Sequence, residues 1–379
     1  MSLQTLIDGA SDGSSLNIDR GRYVLSEPLH ISKNITPVGT PLVYIDAQET
    51  GQILQIDNPK VSVNMEKLLF IHGKGEYGGA ISSQAKSLTI KDCDFSDSLA
   101  DYGAAIYQKG GNLKIKGSSF ERNNATILGV AICDEGGDMQ VESSTFTQNP
   151  GSYVLYINGA KPMQTQVPIR RCDASNNPGP YNDLNSGFGG AIVCKNSTAL
   201  IDNCTIKGNR ALVNTPTVLS GANAGLVFGS SNVTLNNTLI YGNEALYSPA
   251  IYVGLDSEVR INRCIIAKNH ALSVLFSSKY AVGGEGAGIS VIEGAEVTMD
   301  DTSIEDNISD GNSSAINSVG VLNLKGSTII TRNTAKNHSA IDSFGTITIH
   351  KDVHISDNRD VHEPGSPIHS EGVMNQGVP

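Results

Sequence analysis

A phrase of two small residues followed by Ile or Leu recurs along the chain. Its apolar residue falls at Ile81, Ile106, Ile132, Ile157, Ile192, Leu226, Ile251, Ile289, Ile316, Ile341 and Ile368. Most intervals are 25 to 27 residues; three are 34, 35 and 38. A second phrase, bulky apolar-x-x-Asn, runs in phase with it, as in Phe120 with Asn123, Phe146 with Asn149, Ile206 with Asn209, Ile240 with Asn243 and Ile266 with Asn269. It continues in Ile304 with Asn307, Ile330 with Asn333 and Ile355 with Asn358. The step from the Ile to its following Asn is 17 residues in six of these eight copies and 18 in two, so the length variation falls between the Asn and the next Ile. A fixed half and an elastic half describe equivalent coils stacked along one axis, with one corner free to accept insertions.

Within each coil the apolar residues alternate. Leu88 and Ile90, Leu113 and Ile115, Met139 and Val141, Val233 and Leu235, Val259 and Ile261, Val297 and Met299, and Leu322 and Leu324 all keep a period of two, which is a strand with one buried face. A coil of about 25 residues cannot close a core alone, whereas stacked coils bury a continuous one and pair every strand with its equivalents above and below. The predicted fold is therefore all-β, a parallel β-helix of about a dozen coils. The repeated Asn suits a tight bend, where its backbone tolerates a left-handed conformation and its amide can bond to the next coil. These Gly, Ala, Ile and Asn positions read as scaffold.

Residues 1–20 read as an N-terminal cap, with Leu3, Leu6 and Ile7 on one side of a short helix. Residues 21–72 read as less regular first coils, 73–370 as regular coils and 371–379 as a polar tail. No cap is visible at the C-terminal end, so end-to-end or homo-oligomeric stacking is an expectation there.

Composition narrows the function. Forty Gly, no Trp and 17% charged residues fit short strands joined by tight turns. A net charge of −11 excludes the basic stripe that nucleic acid requires, and no apolar stretch is long enough for a membrane span. No signal peptide is visible. Cys93, Cys204 and Cys264 each lie two residues before the bulky residue of the second phrase, where other coils place Ser144, Thr238 or Thr302. A ladder of small interior side chains is the plain reading; a disulfide between Cys172 and Cys204 is the alternative. The spacings give no metal site and no cofactor. The eight His, several of them towards the C-terminus (His338, His350, His354, His362 and His369), scatter over different coil phases.

The pairing of Gly-Gly-Ala-Ile at 78–81 and 189–192 with Phe-x-x-Asn at 120–123 and 146–149 resembles two groups of repeat proteins. These are the passengers of chlamydial polymorphic outer-membrane proteins and the adhesin-like surface proteins of methanogenic archaea. The opening segment is similar to the start of many pectin-lyase-like β-helices. The resemblance implies a right-handed parallel β-helix used at a cell surface or outside the cell.

Chemistry is harder to place. Glycoside hydrolysis needs two carboxylates facing each other across a groove. Asp300 and Asp301 form the only adjacent Asp pair, and a solvated turn explains them as well as a catalytic role in a polysaccharide lyase or glycoside hydrolase does. The long inserts at the elastic corner are better binding candidates, because loops carry recognition that the scaffold does not need. They span 177–188, 210–223 and 270–287, and offer Tyr181, Asp183, Arg210, Tyr280 and Glu285 to a glycan or a protein receptor. The expected function is a non-catalytic extracellular or cell-surface β-helix that displays loops for adhesion.

Overall fold

A computed structural model describes residues 2–159, 166–178, 190–211, 223–277, 280–362 and 368–378. The chain forms two compact units, Met1–Asp173 and Ala174–Pro379. Both are built from the same coil. Each coil contributes a strand to a first sheet, a second sheet and a third sheet, and in each sheet a strand pairs in parallel with its equivalent one coil along.

In the first unit Ser87–Lys91, Asn112–Lys116 and Asp138–Glu142 lie side by side in the first sheet. Their register puts Leu88, Leu113 and Met139 in one interior column and Ile90, Ile115 and Val141 in another, all buried. The expected alternation is thus the alternation between core and solvent. The second sheet adds a stack of rings: Phe70, Phe95, Phe120 and Phe146 follow one another at 4.9, 4.9 and 4.8 Å between centroids, nearly parallel and fully buried. In the second unit the same column is aliphatic, with Ile206, Ile240, Ile266 and Ile304 in register.

The corner Asn forms the tightest link between coils. Asn243 Oδ1 accepts from both the backbone N–H and the side-chain amide of Asn209, at 3.0 and 2.9 Å. Its own Nδ2 donates to Ile206 O at 3.0 Å and to Asn269 Oδ1 at 2.9 Å. Asn269, Asn307, Asn333 and Asn358 repeat the pattern, and Asn123 with Asn149 does so in the first unit. Asn177 also belongs to this column, donating to Asn209 at 2.9 Å. It escapes the sequence phrase because Ala174 stands where other coils have Phe or Ile.

A second ladder is made by small polar side chains two residues before the bulky one. The Ser118, Ser144, Thr238 and Thr302 hydroxyls each donate to the carbonyl two residues back. In the same place Cys93, Cys172, Cys204 and Cys264 turn their thiols to the equivalent carbonyl. All six cysteines are buried as thiols, and the Cys172–Cys204 disulfide is not formed. The thiols serve as small interior groups.

Other expectations need correction. Ile132 pairs with Leu155, not with Ile157, which stands two residues on, opposite Asp134. The tyrosine-rich sequence 153–158 offers two apolar choices, and register selects the earlier. The first strand, Ser14–Ile18, lies inside the segment expected to be a cap and pairs in full register with Ile35–Gly39. The capping element is the helix Leu3–Gly9, whose Gln4 amide exchanges hydrogen bonds with the backbone of His30 at 3.1 and 2.9 Å. The tail is a strand: Val373–Val378 pairs with Thr346–His350.

Before the third sheet the chain turns through a left-handed residue. Gly78, Gly103, Gly129 and Gly286 take this place with φ of 71°, 59°, 64° and 63°, and a Cβ at Gly78 would fall 2.1 Å from Ile81 O. Ser248, Ser313 and His338 adopt the same backbone at the equivalent position of their coils.

The Asn ladder has a measurable consequence. Asn243→Ala removes the side-chain partners of the Asn209 N–H and the Ile206 carbonyl oxygen in the interior, at a cost of about 2–4 kcal/mol. Urea unfolding should show that loss, while the exposed Lys207→Ala stays within about 0.5 kcal/mol of the parent. Equal midpoints for the two variants would remove the ladder from the account.

Candidate functional site

In the first unit, side chains on the outer face of the third sheet and at the corners on either side of it enclose an open groove of about 450 Å³. It is lined by Tyr77, Ser82, Gln84, Tyr102, Tyr107, Lys109 and Glu135. The repeat itself builds it. Tyr77 and Tyr102 are bridge partners on adjacent coils, and Ser82 with Tyr107, and Lys109 with Glu135, are register partners in the third sheet. Equivalent positions of neighbouring coils must lie about 4.8 Å apart, so aromatic residues there stack.

The Tyr77 and Tyr102 rings are 5.1 Å apart and 7° from parallel, and Tyr107 tilts against Tyr77 at 4.9 Å and 56°. Tyr107 donates its hydroxyl to Glu135 Oε2 at 2.9 Å. Burial pushes the Tyr107 phenol up, and the bonded Glu135 carboxylate adds to that. The charge of Glu76 raises Tyr77. Both phenols are therefore protonated at neutral pH, fit to donate a hydrogen bond and unfit to remove a proton. Cys133, beside Tyr107 in the same column, is buried with its thiol pushed up, first by burial and then by Glu135, so it is no nucleophile. Chemically the groove offers flat apolar faces, an amide, a hydroxyl, one cation and one anion.

Sequence reading overlooked this cluster, although the signal was present. Tyr77 and Tyr102 are 25 residues apart, one coil, and Tyr107 directly follows a repeat Ile. Of the residues expected to bind, Tyr181 and Asp183 lie outside the described residues. Arg210 is on the short corner strand Arg210–Ala211 and pairs with Glu244 Oε2 at 2.8 Å. Tyr280 belongs to the strand Tyr280–Gly283, which pairs antiparallel with Ser273–Ser277, so the third insert is a hairpin. Asp310 fixes its root, accepting from Ser273 N at 3.1 Å and facing His270 Nε2 at 2.9 Å. Glu285 is exposed at the far end of that insert, its carboxyl raised by desolvation and by the charge of Asp342.

Asp300 and Asp301 hold a turn. Asp300 faces Lys325 Nζ at 3.5 Å, and Asp301 Oδ1 accepts from Ser327 N at 2.9 Å. A Cβ at Gly326 would lie 2.1 and 2.5 Å from their carboxylate oxygens, which accounts for the glycine between the strand end and Ser327.

The sequence matches the model of the family described as the right handed beta helix region over residues 53–174 and 164–360. The chain belongs to that family. Its fold is accordingly a right-handed parallel β-helix. Among solved structures it is similar to the A-module of the mannuronan C-5 epimerase AlgE4 of Azotobacter vinelandii, with 10% identity over 94% of this chain and 95% of that one and a TM-score of 0.35. It is also similar to the pectate lyase Pel9A, with 11% identity over 97% of this chain and 73% of that one and a TM-score of 0.25. No curated protein matches the sequence. Scores this low carry no chemistry from either enzyme to this β-helix.

Directly behind the groove, the β-helix buries a carboxyl. Asp134 precedes Glu135 and points inward, fully buried, with no hydrogen-bond partner for either oxygen among the described residues. Its register partner Gln108 has an unpaired Oε1. Burial, then the charges of Asp138 and Glu135, push Asp134 up to about 7. An unfolded Asp titrates near 3.9, so the folded state holds this proton more tightly. Its contribution is therefore full below about pH 4, declines as pH rises from about 4 to about 7, and is flat above that. Asp134→Asn supplies a permanent donor for Gln108 and abolishes the decline. The variant should be more stable than the parent at about pH 8, by up to roughly 4 kcal/mol, with the gap closing towards pH 4. Unfolding curves at both pH values check this, and a variant less stable at pH 8 would contradict it.

Proposed function

We propose that this β-helix binds a glycan chain along the tyrosine groove of its first unit and does not cleave it. The observation that carries the reading is the convergence of Tyr77, Tyr102 and Tyr107 with Gln84, Lys109 and Glu135 on one open face. Sugar rings present C–H faces that lie against aromatic rings and hydroxyls that need directional partners, and a shallow amphipathic groove supplies both. Adjacent coils repeat the same positions, so the groove follows the coil axis and suits an extended polymer better than a compact small molecule.

The absence of cleavage rests on the lining. Glu135 is the one carboxylate among the groove residues, and it is held by Tyr107, whereas hydrolysis needs an opposed pair. A lyase needs a base, and the phenols here are held protonated. The resemblance to chlamydial and methanogen surface repeats extends the reading to a place outside the cell, where the corner inserts with Arg210, Tyr280 and Glu285 add contacts to a glycan or protein receptor.

Binding and cleavage are separable on a glycan panel. The intact chain should bind at least one polysaccharide class, and Tyr77→Ala and Tyr102→Ala should each weaken that binding about 5- to 30-fold, with 1–2 kcal/mol lost per ring. No reducing ends or unsaturated products should accumulate. Turnover of a bound glycan, or binding indifferent to both substitutions, would overturn the proposal.

A further inference from the structure

In the second unit the same face of the coil carries different chemistry. The outer column of the third sheet runs Tyr252, Ser290, Asn317, Asp342 and His369, in register from strand to strand. On the corner before it, His338 occupies the left-handed position, with φ of 53°. Three ligand-bearing side chains separated by 4 and 27 residues in sequence thus meet at one point, contrary to the scatter expected for these histidines. Asp342 Oδ1 lies 2.7 Å from His369 Nδ1, and its Oδ2 lies 3.3 Å from His338 Nδ1. One ligand atom from each of the three residues falls within 4.8 Å of the others.

We propose that His338, Asp342 and His369 form a binding site for a divalent transition metal of the zinc class. Four features carry this. His338 Nδ1 is shielded from solvent yet makes no hydrogen bond, although the Asp342 oxygen is within reach, so its lone pair is free for a cation. Asp342 is buried, and Ser313 Oγ fixes its carboxylate by donating to Oδ2 at 3.0 Å. Beyond the His369 ring the exposed Glu371 Oε1 stands 3.7 Å from Nε2, too far for a hydrogen bond but a second negative charge beside the site. The two imidazoles stack at 4.3 Å and 10°, with the Phe344 ring edge-on to His369 at 5.8 Å, so the two rings already stand side by side at the site.

Two imidazole nitrogens and one carboxylate are a borderline donor set that favours Zn²⁺, Co²⁺ or Ni²⁺ over Ca²⁺ and Mg²⁺, which take oxygen ligands. Zinc bonds of about 2.0–2.2 Å set tetrahedral ligand atoms about 3.4 Å apart, so the 2.7 Å contact of Asp342 with His369 opens and the wider separation closes as the two rings tilt out of their stack. An ion bound at Nδ1 of His369 takes that lone pair in place of the contact with Asp342, and the neutral ring then carries its one proton on Nε2, the side that faces Glu371. Three protein ligands leave a fourth position for water. Because Asp342 and His369 sit on adjacent strands, Ile341–Ser343 and Ile368–Ser370, the ion ties one coil to the next.

The test uses the full chain, free of any polyhistidine tag and stripped with a chelator. Calorimetry with Zn²⁺ should show one saturable site, and Co²⁺ should give the visible absorption of a low-coordinate centre. Asp342→Asn and His369→Ala should each weaken Zn²⁺ by at least about tenfold, while His350→Ala leaves it unchanged. Zn²⁺ should also slow hydrogen exchange in residues 368–378. His338→Ala, at a half-buried corner position, keeps the test decisive should a substitution at buried Asp342 impair folding. No saturable binding at about 1 mM Zn²⁺, or equal affinity in the parent and the His338 and His369 variants, would overturn the proposal.

Discussion

Each buried corner Asn answers four hydrogen-bonding demands with one carboxamide. In Asn243 the oxygen accepts twice from Asn209, and the nitrogen donates to Ile206 O and to Asn269. A tight bend inevitably leaves backbone groups that no sheet can pair, and in a dry interior each such group is expensive. Stacking identical amides solves the problem at every coil at once, but only if the coils superpose. The ladder therefore acts as a register lock. A coil displaced by one residue would strand an N–H, a carbonyl and an amide together, and would also turn the apolar face of every strand outward.

Once register is fixed inside, equivalence is fixed outside. The Tyr77 and Tyr102 rings stack because the coils beneath them do, and Asp342 meets His369 because both hold the same position of adjacent strands. The two units use one face of the coil for different chemistry: aromatic rings with a single carboxylate in the first, imidazoles around a buried carboxylate in the second. The interior tolerates matching variation. Stacked Phe rings fill the second-sheet column of the first unit and Ile the equivalent column of the second, without changing the path of the chain.

The architecture was legible in the sequence because it is periodic. Alternation within strands and the Asn phase follow from the same geometry, and the hairpin Ser273–Ser277 with Tyr280–Gly283 lies at the corner expected to take inserts. Insertion is not confined to that corner: seven residues separate Asn158 from Gln166 where two separate Glu135 from Asp138, and the spacing hid this because Ala174 masks the phrase that ends in Asn177. Register at Leu155 was not legible, since neither Leu155 nor Ile157 follows two small residues and only pairing with Ile132 decides between them. The site was less legible still. Insert residues such as Arg210 and Glu285 attract attention because they depart from the repeat, whereas Tyr77, Tyr102 and Tyr107 are hidden within it. His338 and His369 look unrelated in sequence because one lies on a corner and the other on a strand. Their meeting depends on where a corner side chain reaches, which phase counting does not supply.

The most direct test of the interlocked amide column is native-state hydrogen exchange followed by NMR at the backbone amides of Asn209, Asn243 and Asn269. The account predicts that all three exchange only through cooperative opening, as slowly as core strand amides such as those of Val233 and Leu235. Exchange as fast as at the exposed corner residues beside them would contradict it, because those N–H groups would then be meeting water instead of the next Asn.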